Sequence, residues 1–335
     1  MKKIGWLLLA LLLSLNSLAQ KNEVKEHVVL AYVTSWSSIV PDPAYITHIN
    51  YAFGHVNETF NGVRIDNGNR LKMITGLKKQ HPNLKVLLSI GGWGSGRFSE
   101  MAANESYRKA FAKDCERVVK EFNLDGIDID WEFPTTSMAN ISSSPEDTDN
   151  FTLLMRDIRK AIGSKKLLTL ATQASGKYID FPAIDKYIDF VNIMTYDMNN
   201  PPKHHASLYR SDISGWLSAE ESVDAHIKAG VPVHKLTLGM PFYGRAKGNL
   251  GNFINYKQIV NLTGYTDNWD DVAKAPYLTD TEGEIVCTYE TPRSIAHKCE
   301  FLLKKGMLGA MYWDYDGDDA NGTLRKAVYN GVMKK

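Results

Sequence analysis

The sequence predicts an α/β protein, a (β/α)8 or TIM barrel with a small insertion between strands 7 and 8. Eight short apolar strand candidates follow one another along the chain, and amphipathic helix candidates lie between most of them. The competing architecture is an open doubly wound sheet, which usually carries a glycine-rich phosphate turn after its first strand. The first strand here ends in YVTSWSS, without such a turn, and this favours the barrel.

The eight strand candidates are short runs rich in apolar residues, as expected of strands that are buried on both faces. In chain order they are VVLAYVTSW from Val28, ITHINYAFG from Ile46, LKVLLSIGG from Leu84, LDGIDIDWE from Leu124, KLLTLATQ from Lys166, DFVNIMTYD from Asp189, KLTLGMPFYG from Lys235 and MLGAMYWDY from Met307. Parallel strands need long crossover connections, and the segments between these runs are long enough to supply them.

Four of the connecting segments have the apolar spacing of amphipathic helices. They are NRLKMITGLKKQH, ESYRKAFAKDCERVVKEF, PEDTDNFTLLMRDIRKAI and AEESVDAHIKAG. The third has Glu146 and Asp147 in its first turn, and the fourth begins with Ser218 and Glu221 at capping-box spacing. In the second segment, Cys115 falls on the apolar face and is predicted to be a core residue.

The segment between the seventh and eighth strands is longer than the other connections. Residues 246–290 hold two aromatic-rich stretches, and the second is predicted to form a hairpin around Glu282-Gly283-Glu284. This segment is the predicted insertion.

The chain begins with the features of a secretory signal peptide. Lys2 and Lys3 precede a short apolar run at 6–15, and the small residues Ser17 and Ala19 follow at the two positions that a signal peptidase reads. About ten apolar residues are too few to span a bilayer. We therefore expect residues 1–19 to be removed, and residues 20–335 to form one secreted or periplasmic barrel without a membrane anchor.

The charge balance argues against a polyanionic partner. The chain has 39 Lys and Arg residues against 38 Asp and Glu residues, so neither nucleic acid nor an anionic membrane surface is an expected partner. A neutral polymer or a small molecule fits better. The three cysteines are too few for a disulfide framework, and a pairing of Cys287 with Cys299 is left open.

The stretch NLDGIDIDWEFP, at 123–134, places acidic residues at alternate positions of the fourth strand. Asp128, Asp130 and Glu132 alternate with Ile127, Ile129 and Trp131, and alternate residues of a strand point to opposite faces. In a barrel, the acids would climb the lumen while the apolar set packs outward against helices. Glu132 would then lie at the C-terminal rim, where barrel enzymes place catalytic residues.

Carboxylates stacked in a barrel lumen are poised for acid catalysis. Like charges that lie close together in a poorly hydrated place cannot all ionise, so at least one pKa rises. A rim carboxyl with a raised pKa is a general acid at neutral pH. A metal site is less favoured, because the acids lie in a line and not around a centre. The glycines of GGWGSG, at 91–96, are predicted to form a backbone turn and not a nucleotide loop.

The motif DGIDIDWE matches the D-x-x-D-x-D-x-E signature of family 18 of the glycoside hydrolases, the chitinase family, and the chain resembles that family throughout its mature length. Four further motifs look like the third, sixth, seventh and eighth strands of the family. They are SIGGW at 89–93, MTYDM at 194–198, MPFYGR at 240–245 and GAMYWDYDGD at 309–318. Five motifs in the family's order carry the resemblance.

The resemblance implies a mechanism in which the substrate's own N-acetyl group is the nucleophile. Glu132 would be the acid and then the base, and Asp130 would hold the acetamide N–H. Asp128 would share a proton with Asp130. Tyr196 would donate to the acetamide carbonyl oxygen, and Trp313 would form the floor beneath the sugar.

The resemblance also implies supporting residues around this centre. The hydroxyls of Tyr32 and Ser89 would support the inner Asp128. Residues that match family positions lining the same subsite are Met194, Asp197, Tyr243 and Arg245, and Phe53 and Trp93 are expected as cleft aromatics. The pair His204-His205 is predicted to lie in an exposed loop.

The implied function is hydrolysis of β-1,4-linked N-acetylglucosamine polymers, such as chitin and chitooligosaccharides, by a monomer that uses no cofactor and no metal. An endo-β-N-acetylglucosaminidase acting on N-glycans remains open. A chitin-binding lectin is disfavoured, because Glu132, Asp130 and Tyr196 are all present. The stretch after Arg245 is shorter than in family members with a deep cleft, so we expect a shallower cleft, and the choice between endo and exo action is left open.

Overall fold

The computed structural model describes residues 27–334, which fold around eight parallel strands closed into a barrel. The strands are Val28–Thr34, His48–Val56, Lys85–Gly91, Gly126–Asp130, Leu167–Gln173, Phe190–Met194, Leu236–Pro241 and Gly309–Trp313. Each pairs with the next in parallel, and the eighth pairs with the first to close the ring. All eight predicted strands are present. The predicted signal peptide at 1–19 lies outside the described residues.

Helices connect the strands and cover the outside of the barrel. The α-helices are Gly68–Gly76, Phe98–Ala103, Glu105–Glu121, Asp147–Ile162, Phe181–Ile184, Ala219–Lys228, Tyr256–Ile259, Pro292–Lys305 and Thr323–Val332. Short 3-10 turns lie at Pro43–Tyr45, Leu77–Lys79, Met138–Asn140, Val233–Lys235, Gly248–Leu250 and Tyr315–Gly317. The four helices predicted from apolar spacing are present, and Ser218 and Glu221 form the predicted capping box.

The core between strands and helices is built from the outward-facing strand residues. Ile127 and Ile129 are fully buried, and Trp131 stacks on Phe98 with ring centroids 5.3 Å apart. Cys115 is buried in the same core, as predicted. The apolar set of the fourth strand therefore packs outward, which leaves its acidic set facing the barrel interior.

The insertion is a five-stranded antiparallel sheet with the strand order Ile254–Asn255, Tyr243–Ala246, Ile285–Thr288, Ala275–Thr279, Thr266–Asp270. A hairpin turn at 280–284 joins two of these strands, as predicted. The insertion was predicted to start at about 246, and its first strand begins at Tyr243. Tyr243 and Arg245 therefore belong to the insertion and not to the seventh barrel strand, which ends at Pro241.

The three cysteines are buried and free, so Cys287 and Cys299 do not pair with each other. The thiol of Cys287 lies in the insertion, whereas Cys299 lies on the helix Pro292–Lys305. Among residues 27–334, no helix is both long and apolar enough to cross a membrane.

Candidate active site

The acidic row of the fourth strand leads into a cleft at the C-terminal mouth of the barrel. The strand ends at Asp130, and Glu132 lies two residues beyond it. Asp130 and Glu132 both line the cleft, which has a volume of about 810 Å³. Asp128 lies beneath them and is completely buried. The order from interior to rim is the one that strand alternation predicts.

The inner carboxylate, Asp128, accepts hydrogen bonds from four neighbouring strands. Tyr32 Oη and Ser89 Oγ donate to its Oδ2 at 2.9 and 2.8 Å. Thr169 Oγ1 and Asn192 Nδ2 donate to its Oδ1 at 2.6 and 3.2 Å. Strand register explains this convergence, because Ser89 and Thr169 are the direct partners of Asp128 on either side. Ser89 is fully buried and does not line the cleft.

Asp128 and Asp130 differ in how well the protein solvates their charge. Burial raises the pKa of Asp128, and its four hydrogen-bond donors oppose that rise. Burial, then the charge of Glu132, then that of Asp128, raise the pKa of Asp130 much further. Asp130 Oδ1 is buried without a hydrogen-bond partner among the described residues. A proton shared by this pair is therefore held more firmly by Asp130 than by Asp128.

Glu132 has the protonation state of a general acid. Burial, followed by the nearby charge of Asp197, raises its pKa from 4.5 to about 8. A carboxyl with this pKa holds its proton at neutral pH and can release it to a basic oxygen that forms in the cleft.

Asp197 is held ionised at the cleft wall by the insertion. Arg245 binds it through two hydrogen bonds, Nε to Oδ1 and Nη2 to Oδ2, both 2.6 Å long. Tyr243 Oη donates to Oδ1 at 2.7 Å. Burial alone would raise the pKa of Asp197, but the hydrogen bonds and charges of His205 and Arg245 outweigh it and hold that pKa well below its usual range.

His204 and His205 are buried, so the prediction of an exposed loop is wrong. Each side chain is 1% exposed. His204 Nε2 lies 3.3 Å from Asp270 Oδ2 in the insertion, and His205 Nδ1 lies 3.5 Å from Asp197 Oδ1. Burial lowers the pKa of both imidazoles. The insertion folds over this pair, and that long-range contact has no local sequence signal.

Tyr196 and Met194 lie at the end of the sixth barrel strand and line the cleft. Burial, followed by the charges of Asp130 and Glu132, raises the pKa of Tyr196 well above 10, so the phenol remains a proton donor. Among the described residues its hydroxyl has no nearer hydrogen-bond acceptor than Met311 Sδ at 4.0 Å. It is therefore available to donate to a bound molecule.

Trp313 forms an aromatic floor at the end of the eighth barrel strand. Its ring stacks on Phe53, with centroids 5.6 Å apart and planes inclined by 19°. Tyr32 packs against it at the same centroid distance and a tilt of 54°. All three line the cleft, so the predicted floor and its supporting rings come together.

Exposed aromatic side chains extend the cleft on both sides of this floor. Trp93 is 64% exposed, as expected of a cleft aromatic, and Trp36 is 66% exposed. The cleft is also lined by Trp36, Trp216 and Phe253, which are not among the site residues predicted from the sequence. Trp36 lies two residues beyond the end of the first strand, and side chains at that end of a barrel strand commonly face the mouth of the barrel. Trp216 and Phe253 lie in loops whose path the sequence pattern does not define.

The arrangement combines a protonated carboxyl, a proton-bearing carboxyl beside it, a free phenol and an aromatic floor. These groups suit acid-catalysed cleavage of a bond beside an amide, held against an aromatic face. Over the described part of the chain, no group of three or more His, Cys, Asp and Glu side chains is arranged to hold a metal ion.

Comparisons with known proteins agree with this geometry. The sequence profile of the family described as "Glycosyl hydrolases family 18" matches residues 28–318. Chitinase A1 of Niallia circulans is 30% identical over 90% of this chain, and probable chitinase 2 of Drosophila melanogaster is 32% identical over 98%. The solved structure of a family 18 N-acetylglucosaminidase from Paenibacillus barengoltzii is 34% identical, with a TM-score of 0.83, and covers 91% of this chain.

The chain differs in length from these relatives. The match spans 58% of chitinase A1 and 81% of probable chitinase 2. It spans 100% of the N-acetylglucosaminidase structure. The shared part is therefore the barrel with its insertion.

Proposed function

The chain belongs to glycosyl hydrolase family 18, and from this membership we propose that it hydrolyses β-1,4-linked N-acetylglucosamine chains with retention of anomeric configuration. The observation that carries the proposal is Glu132, a cleft carboxyl whose pKa is raised to about 8 and which follows the buried pair Asp128 and Asp130. A binding protein would have no need of a proton donor at this position.

In the first step, Glu132 donates its proton to the glycosidic oxygen. The N-acetyl carbonyl oxygen of the same sugar attacks the anomeric carbon, and the bond to the leaving sugar breaks. A cyclic oxazolinium ion remains, with the positive charge shared between the ring and the acetamide nitrogen. Water then attacks the anomeric carbon, the ionised Glu132 takes its proton, and the acetamide is restored. Two displacements at one carbon give net retention.

Asp130 and Tyr196 orient the acetamide during these steps. Asp130 has an unpartnered buried oxygen that accepts from the acetamide N–H, and this contact strengthens as the nitrogen becomes positive. The proton that Asp130 carries in the free protein then moves toward Asp128. The phenol of Tyr196 donates to the carbonyl oxygen and aims it at the anomeric carbon. Trp313 supports the sugar ring from below.

The substrate class follows from the need for an N-acetyl group beside the scissile bond and from the neutral aromatic cleft. Two relatives named as chitinases support chitin and its oligosaccharides as the substrate. The N-terminal sequence pattern supports a further proposal, that the enzyme acts outside the cytoplasm.

Product analysis with two substrates tests the proposal. The enzyme is incubated with the chitin tetramer and, separately, with an N-glycosylated protein. The products are then separated and identified by mass spectrometry. We expect the tetramer to be cut into shorter oligosaccharides and the glycoprotein to remain intact. Glu132→Gln should lose activity by several orders of magnitude and still bind the tetramer, because only the proton is removed. Release of glycans from the protein with an intact tetramer would reject chitin as the substrate.

A further inference from the structure

The turn that carries Trp93 has few side-chain contacts of its own. Trp93 lines the cleft, and within residues 27–334 its ring makes no stacking or cation–π contact with another side chain. The indole therefore depends on the backbone of the turn for its position. The contacts that fix the backbone of the turn therefore determine where the indole ring contacts a ligand.

The backbone of the turn is only partly constrained. Gly92 N–H donates to Asp130 O, and Ser95 N–H donates to Gly92 O, both at 2.9 Å. Gly94 between them has a φ of 81°, a conformation that glycine adopts freely. A Cβ at Gly94 would meet only Ala139 O, at 3.9 Å. The tip of the turn is thus loosely packed.

A hydrogen-bond chain connects this turn to the second barrel strand. Ser95 Oγ lies 2.8 Å from His55 Nδ1, and His55 Nε2 lies 2.9 Å from Asp66 Oδ2. Asp66 also accepts from Arg64, and its N–H donates to Phe53 O at 3.1 Å. With Nε2–H donated to the carboxylate, Nδ1 has a free lone pair for the Ser95 hydroxyl. The chain is complete in the neutral imidazole.

We propose that His55 is a positioning residue, which acts through Ser95 to hold Trp93 and so sets the affinity for the sugar unit that Trp93 contacts. The proposal rests on the proposed function, because it takes the cleft ligand to be a sugar chain. Neither His55 nor Ser95 lines the cleft. Ser95 can reach a ligand through Trp93, whereas His55 also packs against the cleft residue Phe53, with ring centroids 6.3 Å apart, so Ser95→Ala is the variant that isolates the route through Trp93.

Asp66, His55 and Ser95 are hydrogen-bonded in the order of the catalytic triad of acyl-transfer enzymes. Their surroundings favour a structural role, in which Ser95 fixes the turn that carries Trp93. Asp66 shares its charge with Arg64, which reduces the support it could give to a protonated His55. Ser95 is a turn residue set back from the cleft. Covalent labelling by a fluorophosphonate separates the two roles, since a holding serine does not react.

The kinetic test uses Ser95→Ala and His55→Leu with the chitin tetramer. Loss of the hydrogen bond between Ser95 and His55 should raise KM about fivefold and leave kcat unchanged, because ground-state and transition-state binding weaken together. In a Trp93→Ala background, Ser95→Ala should have no further effect on KM. Ser106→Ala is the matched control, because it removes a hydroxyl that bonds only its neighbour Asn104 on the surface.

A measurement without substrate keeps the inference separate from the proposed function. The protein, which has seven tryptophans, is labelled with 5-fluorotryptophan, and the Trp93 resonance is assigned with Trp93→Phe. Ser95→Ala and His55→Leu should shift or broaden that fluorine resonance, and Ser106→Ala should not. A wild type that fails to cut the tetramer would reject the proposed function alone. An unchanged Trp93 resonance, a KM effect of Ser95→Ala that persists in Trp93→Ala, or fluorophosphonate labelling of Ser95 would each overturn the inference.

Discussion

Asp197 is a fixed negative charge beside the acid, and it affects the pH range of the reaction. After burial, its charge is the cause that raises the pKa of Glu132. In the proposed mechanism the acid form of Glu132 is the active one, so kcat/KM should fall on the alkaline side as this group loses its proton near pH 8. Substitutions that change the charge near Glu132 should therefore shift the pH at which kcat/KM falls.

Asp197→Asn should move the alkaline limb of kcat/KM to lower pH, because Glu132 then ionises more easily. Arg245→Met should move it to higher pH, because the charge of Asp197 is no longer balanced by its bidentate partner. Rates on a soluble oligomer are measured from pH 5 to pH 10, with Asp224→Asn, which removes an exposed carboxylate paired with Lys305, as the control. Shifts of the same sign in both variants would contradict the assignment of Glu132 as the titrating acid.

Asp128 and Asp130 should respond differently to loss of charge. Asp130→Asn replaces the carboxyl that holds the acetamide and balances its developing positive charge with a neutral amide, so it should cost more activity than Asp128→Asn. Both changes alter the field at Glu132, so the pH–rate profile of each should move. Asp128→Asn should also lower the melting temperature, since the amide oxygen can keep two of the four hydrogen bonds and the amide nitrogen cannot accept the other two. A larger activity loss in Asp128→Asn than in Asp130→Asn would refute the proposed passage of a proton between them.

At the scale of elements, a buried ion pair fastens the helix Pro292–Lys305 to the segment behind Asp197. Lys298 bonds Glu290, and both side chains are 1% exposed. Lys298 Nζ also donates to Ala206 O at 2.7 Å, next to His205. The helix, the end of the insertion and the histidine segment are thereby joined.

Lys298→Met should destabilise the fold by about 3–5 kcal/mol, because Glu290 would remain buried without its partner. The matched control is Lys305→Met on the same helix, whose pair with Asp224 is exposed and should contribute about 1 kcal/mol or less. Urea unfolding followed by circular dichroism measures both. Equal losses in the two variants would show that the buried pair does not anchor this helix.

The elements that carry local periodicity could be predicted from the sequence, and the parts that depend on distant contacts could not. Strict alternation in the fourth strand placed Asp128, Asp130 and Glu132 on one face, and the structure has that order. His204 and His205 have no periodic signal, and their burial results from an insertion that returns to them from residues 243–288. Trp36 and Trp216 are exposed loop aromatics, and only the folded cleft shows that they face a common space.

At the scale of the whole molecule, both the barrel and the insertion contribute residues to the cleft. The barrel supplies Asp128, Asp130, Glu132 and Trp313, and the insertion supplies Tyr243 and Arg245, which bind Asp197 together with His205. The sequence resemblance identified residues on both parts, but it assigned Tyr243 and Arg245 to a barrel strand. Their place on the insertion means that this sheet contributes directly to the charge balance at the acid.

In the proposed mechanism the substrate's N-acetyl group, and no protein carboxylate, is the nucleophile. The most direct measurement compares hydrolysis of the chitin tetramer with hydrolysis of its fully deacetylated counterpart at equal concentration and pH. We expect the acetylated tetramer to be cut and the deacetylated one to remain intact, since it has no internal nucleophile. Cleavage of both at similar rates, with a glycosyl ester trapped on a carboxylate, would contradict the claim.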